Sequence, residues 1–286
     1  TRYGLANNRL TDKSEWDMKV LPDLLTEAGL DIPGFDDFNL PEIFQPPTAQ
    51  IDQAESLKEK WKTEEGQTWK VGRHLLFCGD YGCFMDSVPP GRTLFFDPPW
   101  DLGVELTYET DSVLAFADGF RFGEVISRFG KPAWVFTWDC AACWHTPNRP
   151  LRRAKYAIWY GDLSDYRFDG AFYGTPLQRK KASNSRGSYE FIPDPRGKHL
   201  ADVYQESLSR LHSDGVHPHE KPEEWIKLLV GNCSTGQLVD PFVGVGASMV
   251  ACVDAEVQFC GSEIDPKYVA VTLERMSSLV DEIKLI

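Results

Sequence analysis

From Thr68 onward the chain repeats one texture: short runs apolar throughout, each closed by small or acidic residues and followed by a turn or a helical stretch. The runs are His74-Leu-Leu-Phe-Cys-Gly-Asp80, Thr93-Leu-Phe-Phe-Asp97, Ala133-Trp-Val-Phe-Thr-Trp138, Tyr156-Ala-Ile-Trp-Tyr160, Gln237-Leu-Val-Asp240 and Val257-Gln-Phe-Cys-Gly-Ser-Glu263. Strands that do not alternate apolar with polar are buried on both faces, and burial on both faces requires helices above and below the sheet. Helical stretches are expected over Asp111 to Phe129, Pro222 to Gly231, Ser248 to Asp254 and Pro266 to Val280. Strand and helix in alternation predict an α/β fold with a mostly parallel, doubly wound sheet.

The pattern bounds the domains. Residues 1–66 are acidic and broken by Gly and Pro, with one helical stretch at Trp16 to Ala28 and a linker from Gln45 running into a polar helix. The sheet pattern occupies 67–160 and returns at 217–286. Between them, 161–216 is an irregular insert rich in Gly, Ser, Pro, Arg and Tyr.

Charge singles out part of that insert. The chain carries a formal net charge of −13, which by itself repels a polyanion. From Arg149 to Lys198, however, eleven Lys and Arg stand against five acids, a local +6 on a body of −19. A basic island on an acidic body is what phosphate contact needs. Arg167, Arg179, Lys180, Lys181 and Arg186, interleaved with Tyr166, Phe168, Phe172, Tyr173 and Tyr189, are the candidate phosphate contacts. A solvated charged loop is the plainer alternative.

Seven cysteines, an odd number scattered through apolar runs, read as reduced packed thiols. Cys140 and Cys143 have the spacing of a metal pair, but no second pair completes a zinc site, so no metal is expected. No apolar run approaches the roughly eighteen residues of a membrane span. The chain starts at Thr1 with neither a signal core nor a transit helix, which reads as a truncated or processed start and a cytoplasmic protein.

In an open α/β sheet, ligands bind beyond the carboxyl ends of the strands. Four acids close apolar runs there: Asp80, Asp97, Asp240 and Glu263. Any one of them alone reads as an ordinary helix cap. Asp240-Pro-Phe-Val-Gly-Val-Gly-Ala-Ser248 adds two glycines where backbone must approach a ligand, and opens a helix at Ser248. It lacks the Gly-Lys-Ser/Thr of a phosphate-binding P-loop and the third glycine of the dinucleotide fingerprint. A neutral or cationic nucleoside suits Asp240 better than a pyrophosphate, and Glu263 closes the next strand, where an acid bonds ribose hydroxyls.

Asp97-Pro98-Pro99-Trp100 is the sharper signal. Two prolines stiffen the chain past the strand end and bring no N–H of their own. The Asp97 carboxylate and the Pro98 carbonyl could accept from an exocyclic amine and localise its lone pair, with Trp100 stacking on the base.

These pieces together resemble the amino-methylating DNA methyltransferases of the beta arrangement, in which the catalytic motif precedes the target-recognition region and the cofactor motif follows. The likeness runs from Thr68 to the C-terminus through Val71–Asp80, Asp97–Trp100, His217-Pro-His-Glu-Lys-Pro222, Asp240–Ser248 and Phe259–Tyr268. It implies a Rossmann-like methyltransferase sheet in permuted motif order and S-adenosylmethionine as cofactor. Asp97, Pro98, Pro99 and Trp100 would then hold the target base. Asp240, Phe242, Gly244, Gly246, Ser248 and Glu263 would surround the cofactor, with Lys221 and Pro222 at its methionine end and Asp80 nearby.

The resemblance further implies double-stranded DNA as partner, room for a homodimer, and a bacterial or phage-infected host. Trp100 stands where the family more often has Tyr, which keeps the stacking area and drops a hydroxyl. Asp in first position resembles the adenine-N6 enzymes more than the cytosine-N4 ones. The opening Ala6–Asp17 resembles the tail of a ParB-like domain. Methylation of RNA or of a protein amide, and a DNA-binding module that no longer catalyses, stay open; an NAD oxidoreductase fits the glycines less well.

Overall fold

The computed structural model describes residues 50–286 except 91, 105, 141–152, 167–179, 185–186, 192–201, 207–220 and 235, with backbone alone at 102, 180–184 and 187–191. The N-terminal helix expected at Trp16 to Ala28 lies outside the described residues. No described helix is long and apolar enough to cross a membrane.

The strands, in chain order, are β1 (Thr68–Val71), β2 (His74–Cys78), β3 (Thr93–Phe96), β4 (Ser112–Asp118), β5 (Trp134–Asp139), β6 (Ala154–Tyr160), β7 (Lys180–Asn184), β8 (Gly187–Phe191), β9 (Val203–Gln205), β10 (Gln237–Asp240), β11 (Gln258–Glu263) and β12 (Ile283–Leu285). The α-helices are α1 (Ala54–Trp61), α2 (Tyr81–Met85), α3 (Phe122–Phe129), α4 (Glu223–Cys233), α5 (Ala247–Asp254) and α6 (Pro266–Met276). Ten strands form one sheet in the order β12-β1-β2-β11-β10-β3-β4-β6-β5-β9. Its centre, β2-β11-β10-β3-β4, is wholly parallel, and β6 runs antiparallel to both β4 and β5. The fold is therefore the mostly parallel α/β sheet that the alternating texture predicts, in the Rossmann-like form that the resemblance implies.

Alternate side chains of each central strand enter different cores, which is why the strands read as continuous apolar runs. On β4, Leu114 and Phe116 join the core under α4, α5 and α6, while Val113, Ala115 and Ala117 join the core under α3. Phe95 and Phe96 of β3, and Trp159 and Tyr160 of β6, divide in the same way. Trp225 of α4 closes the larger core, with ring centroids 5.8 Å from Phe116 and 6.0 Å from Trp138.

Three expectations are corrected. Asp111 to Phe129 is not one helix: its first part is β4, and α3 begins only at Phe122. An apolar run buried on both faces has no period to tell strand from helix. The stretch 161–216 is also less irregular than its composition suggests, because β7 and β8 form a hairpin and β9 adds to the central sheet beside β5. At the C-terminal end α6 stops at Met276, four residues short of the expected Val280.

A buried histidine ties one edge of the centre together. His74 is 2% exposed, and its Nδ1 accepts the Phe259 N–H at 3.1 Å, joining β2 to β11. Burial, helped by the neighbouring Arg73, pushes its pKa down to about 4. The unfolded chain takes up this proton near pH 6.5, so stability is whole above that value and is lost as the pH falls towards 4. Relative to His74→Gln, the protein is expected to lose about 3 kcal/mol of unfolding free energy between pH 7 and pH 4. Urea melts of both proteins at the two pH values check this; parallel losses would show that the proton binds elsewhere.

Candidate active site

Topology brings the acids together. The chain leaves β10 through α5 to β11 on one side and leaves β3 for β4 on the other, so the carboxyl ends of β10 and β3 flank a switch point. Such a point opens a crevice between diverging connections. Asp240 ends β10, Glu263 ends β11 and Asp97 follows β3, all at one edge of the sheet.

Asp240 is fully buried. Its Oδ1 accepts the Phe242 N–H at 2.8 Å and its Oδ2 the Ser248 hydroxyl at 2.5 Å, which locks the start of α5 onto the strand. Burial outweighs these bonds and raises its pKa to about 7, with the Asp97 and Glu263 charges pushing the same way. Glu263 accepts the Gly244 N–H at 2.8 Å through Oε2 and the Asp265 N–H at 2.9 Å through Oε1. Its pKa is also raised, chiefly by burial.

The loop between them is braced from behind by α6. Thr272 donates its hydroxyl to the Gly244 carbonyl at 3.3 Å, and Arg275 donates to the Val245 carbonyl at 2.7 Å while pairing with Glu223 at the start of α4. Gly244 and Gly246 both take left-handed backbone, φ +57° and +88°. A side chain added at Gly244 would meet open space, whereas one at Gly246 would strike Thr272. The loop is thus packed from below and open above Gly244.

Asp97, 31% exposed, forms an ion pair through Oδ2 with the Lys221 ammonium, itself 11% exposed. Pro98 is buried, Pro99 exposed, and Trp100 starts a 3-10 turn that Gly103 ends in left-handed conformation. The Trp100 ring lies edge-on to Phe96 at 5.9 Å, with the Arg121 guanidinium 6.0 Å from its centroid. Phe96, Pro98 and Trp100 line an open cavity of about 500 Å3 together with Glu124, Ser127 and Arg128 of α3. Phe242 stands between the two halves, 5.1 Å from Tyr81 and 6.3 Å from Phe96.

Thus Asp97, Pro98, Trp100, Lys221, Asp240, Phe242, Gly244, Ser248 and Glu263 share one edge of the sheet, and Pro222 caps the start of α4 beside them. Asp80 follows β2 at the same edge, next to Gly79, whose N–H donates to the Glu263 carbonyl at 2.9 Å, and its own carboxylate caps α2 by accepting the Gly82 N–H at 2.8 Å. Arg167, Arg179 and Arg186 fall outside the described residues, as do His217 and His219, and Lys180 and Lys181 are described only as backbone of β7. No group of three metal-ligating side chains occurs among the described residues.

Some contributors escape sequence reasoning. Arg128 donates to the carbonyls of Val104, at 3.0 Å, and Leu106, and lies over the Phe96 ring at 4.8 Å; Arg121 pairs with Asp101 at 3.4 Å and Glu124 at 2.8 Å. The two arginines stand seven residues apart at the start and on the last turn of α3, so their spacing on one helical face was the available signal. They hold the segment that follows Trp100.

A family model described as DNA methylase, covering N6 and N4 enzymes, matches residues 70–274. The type II methyltransferase M.BglII, from Bacillus subtilis, is 25% identical over 190 residues, which are 64% of this chain and 52% of that protein. The chain therefore spans about half the length of this curated relative. Among solved structures, the cytosine-N4-specific PvuII DNA methyltransferase matches at TM-score 0.49 and 14% identity over 72% of this chain and 89% of its own. M1.HpyAVI matches at TM-score 0.47 and 15% identity, over 70% and 97% respectively.

Proposed function

The chain belongs to the N6/N4 DNA methylase family, and from that premise we propose that it moves a methyl group from S-adenosylmethionine to the exocyclic amine of a base in double-stranded DNA, namely adenine N6. The observation that carries the reading is the meeting of two half-sites at the switch point: the stiffened Asp97 turn after β3, and the acid-flanked glycine loop after β10. The adenine assignment rests on Asp in the first position of the tetrad. The basic stretch of 161–216, with Arg167, Arg179, Lys180, Lys181 and Arg186, serves target recognition in this reading, and the protein works in the cytoplasm.

The residues present suit the cofactor. A sulfonium is a cation, and Asp97, Asp240 and Glu263 gather carboxylates at one edge; a cation bound beside them would favour the ionised forms that burial disfavours. Glu263 already takes two backbone N–H groups and keeps lone pairs for hydroxyl donors. Gly244 leaves open space above the loop. Asp240, Phe242, Gly244, Gly246 and Glu263 would hold the nucleoside end. The cofactor, when bound, supplies an electrophilic methyl group.

The chain's own part is positioning. The target base leaves the duplex, since the exocyclic amine of a stacked base cannot reach a carboxylate set in a crevice at the sheet edge. The Asp97 carboxylate and the Pro98 carbonyl accept from the two amine N–H groups and turn the nitrogen lone pair away from the ring. Trp100 supplies a flat face for the base. The methylated amine then gives one proton to solvent by way of Asp97.

Incubating the protein with methyl-labelled S-adenosylmethionine and mixed-sequence duplex DNA, then digesting to nucleosides, tests this. Labelled N6-methyl-2′-deoxyadenosine is expected. Label in N4-methyl-2′-deoxycytidine would move the base assignment, and no label in DNA while the cofactor binds would overturn the DNA reading.

A further inference from the structure

The family resemblance puts Lys221 at the methionine end of the cofactor, but its ammonium is paired with the carboxylate that would hold the target amine. We propose that Lys221 is a positioning residue for Asp97: it pins Oδ2 and leaves Oδ1 as a single, directed acceptor. The inference rests on the methyl-transfer reading and assigns one of its residues a task outside cofactor binding.

The surroundings give the pair its purpose. Asp97 lies near a second carboxylate, the buried Asp240, whose proton affinity its charge raises, and Glu263 adds a third negative group. An Asp97 without a counter-charge would be repelled from the edge where the methyl must arrive. The ammonium comes from a different direction, at the start of α4, and rests over the Phe116 ring of β4 at 5.0 Å, so its stem is packed. Lys155, on β6 over the Trp138 ring at 5.1 Å, is another cation in this field; burial and the Lys221 charge push its pKa down, against the pull of Asp97 and Asp118. A charge-assisted bond to one oxygen of a partly buried carboxylate restricts its rotation and leaves the other oxygen to accept. Restricting that rotation before the base arrives removes a freedom that would otherwise be lost in the transition state.

Lys221→Met keeps the length and apolar packing of the side chain and removes the charge. In the full chain, kcat on duplex DNA is expected to fall between 30-fold and 100-fold, with the S-adenosylmethionine Kd measured by calorimetry within threefold and KM for DNA unchanged. Lys221→Arg, which can still pin one oxygen, is expected to stay within tenfold of the parent. Combining Lys221→Met with Asp97→Ala should add less than threefold to the loss from Asp97→Ala alone. A rise in cofactor Kd that matches the rate loss would instead make Lys221 a cofactor-holding residue and overturn the proposal. So would an unchanged kcat, or losses that multiply in the double variant. A parent protein that transfers no methyl to DNA fails the functional reading itself, a result distinct from all of these.

Discussion

Asp97→Ala is expected to slow a single turnover of methyl transfer about 10^3-fold, roughly 4 kcal/mol of transition-state stabilisation, while the cofactor still binds. The exocyclic amine is a poor nucleophile because its lone pair is delocalised into the ring, so catalysis depends on acceptors that draw the two N–H bonds out of the ring plane. Asp97 is the charged acceptor of the pair, and the Pro98 carbonyl survives the substitution. The loss is therefore large and not total. Cofactor binding persists because Asp240 and Glu263 hold the facing loop through bonds that do not involve Asp97. Removing Asp97 also leaves the Lys221 ammonium, only 11% exposed, without its partner carboxylate, and a buried charge so orphaned destabilises. Melting curves accompany the rate measurement for that reason. Rapid-quench turnover within tenfold of the parent would remove Asp97 from the chemistry.

The strand-closing acids could be read before the fold was known because each combines two local signals, an apolar run and a turn that follows it. Asp80 has the same signature as Asp97, and its carboxylate accepts the Gly82 N–H just as that of Asp240 accepts the Phe242 N–H. A cap and a ligand-holding acid look alike in sequence, and only neighbouring strands tell them apart. Asp240 and Asp97 gain their meaning from β10 lying beside β3, a pairing of segments more than 140 residues apart.

The contacts that sequence reasoning missed share this long range. Lys221 meets Asp97 across 124 residues, and Thr272 reaches back 28 residues to Gly244. No periodicity encodes such pairs. The opposite failure occurred at β4, where local pattern was present and ambiguous. Ser112-Val-Leu-Ala-Phe-Ala-Asp118 contains two alanines, which favour helix, and lies on a chain segment that does continue into one. Burial on both faces overrode that preference.

The second large effect is expected at Gly246, where backbone conformation and packing act together. Its φ of +88° is one that residues with a Cβ adopt at a cost of about 1 to 2 kcal/mol. A Cβ built there would lie 2.7 Å from Thr272 Cγ2 and 2.9 Å from its Oγ1. Thr272 cannot retreat easily, since it is fully buried on α6, β-branched, and bonded to the Gly244 carbonyl. Overpacking of this kind adds about 1 to 3 kcal/mol, so Gly246→Ala should lower the unfolding free energy by roughly 3 to 4 kcal/mol. Gly244→Ala provides the internal comparison: its φ is +57°, nothing lies within 4 Å of the added Cβ, and only the backbone component, about 1 to 2 kcal/mol, should appear. Thr272→Ala in the Gly246→Ala background should recover the steric part and leave the backbone part, because the new methyl then has room while φ is unchanged. Urea denaturation with a constant m value measures all four proteins on one scale. Equal destabilisation by the two glycine substitutions would mean that the loop slides away from α6. In that case the Glu263 bond to the Gly244 N–H, which depends on the loop staying in place, should be lost as well.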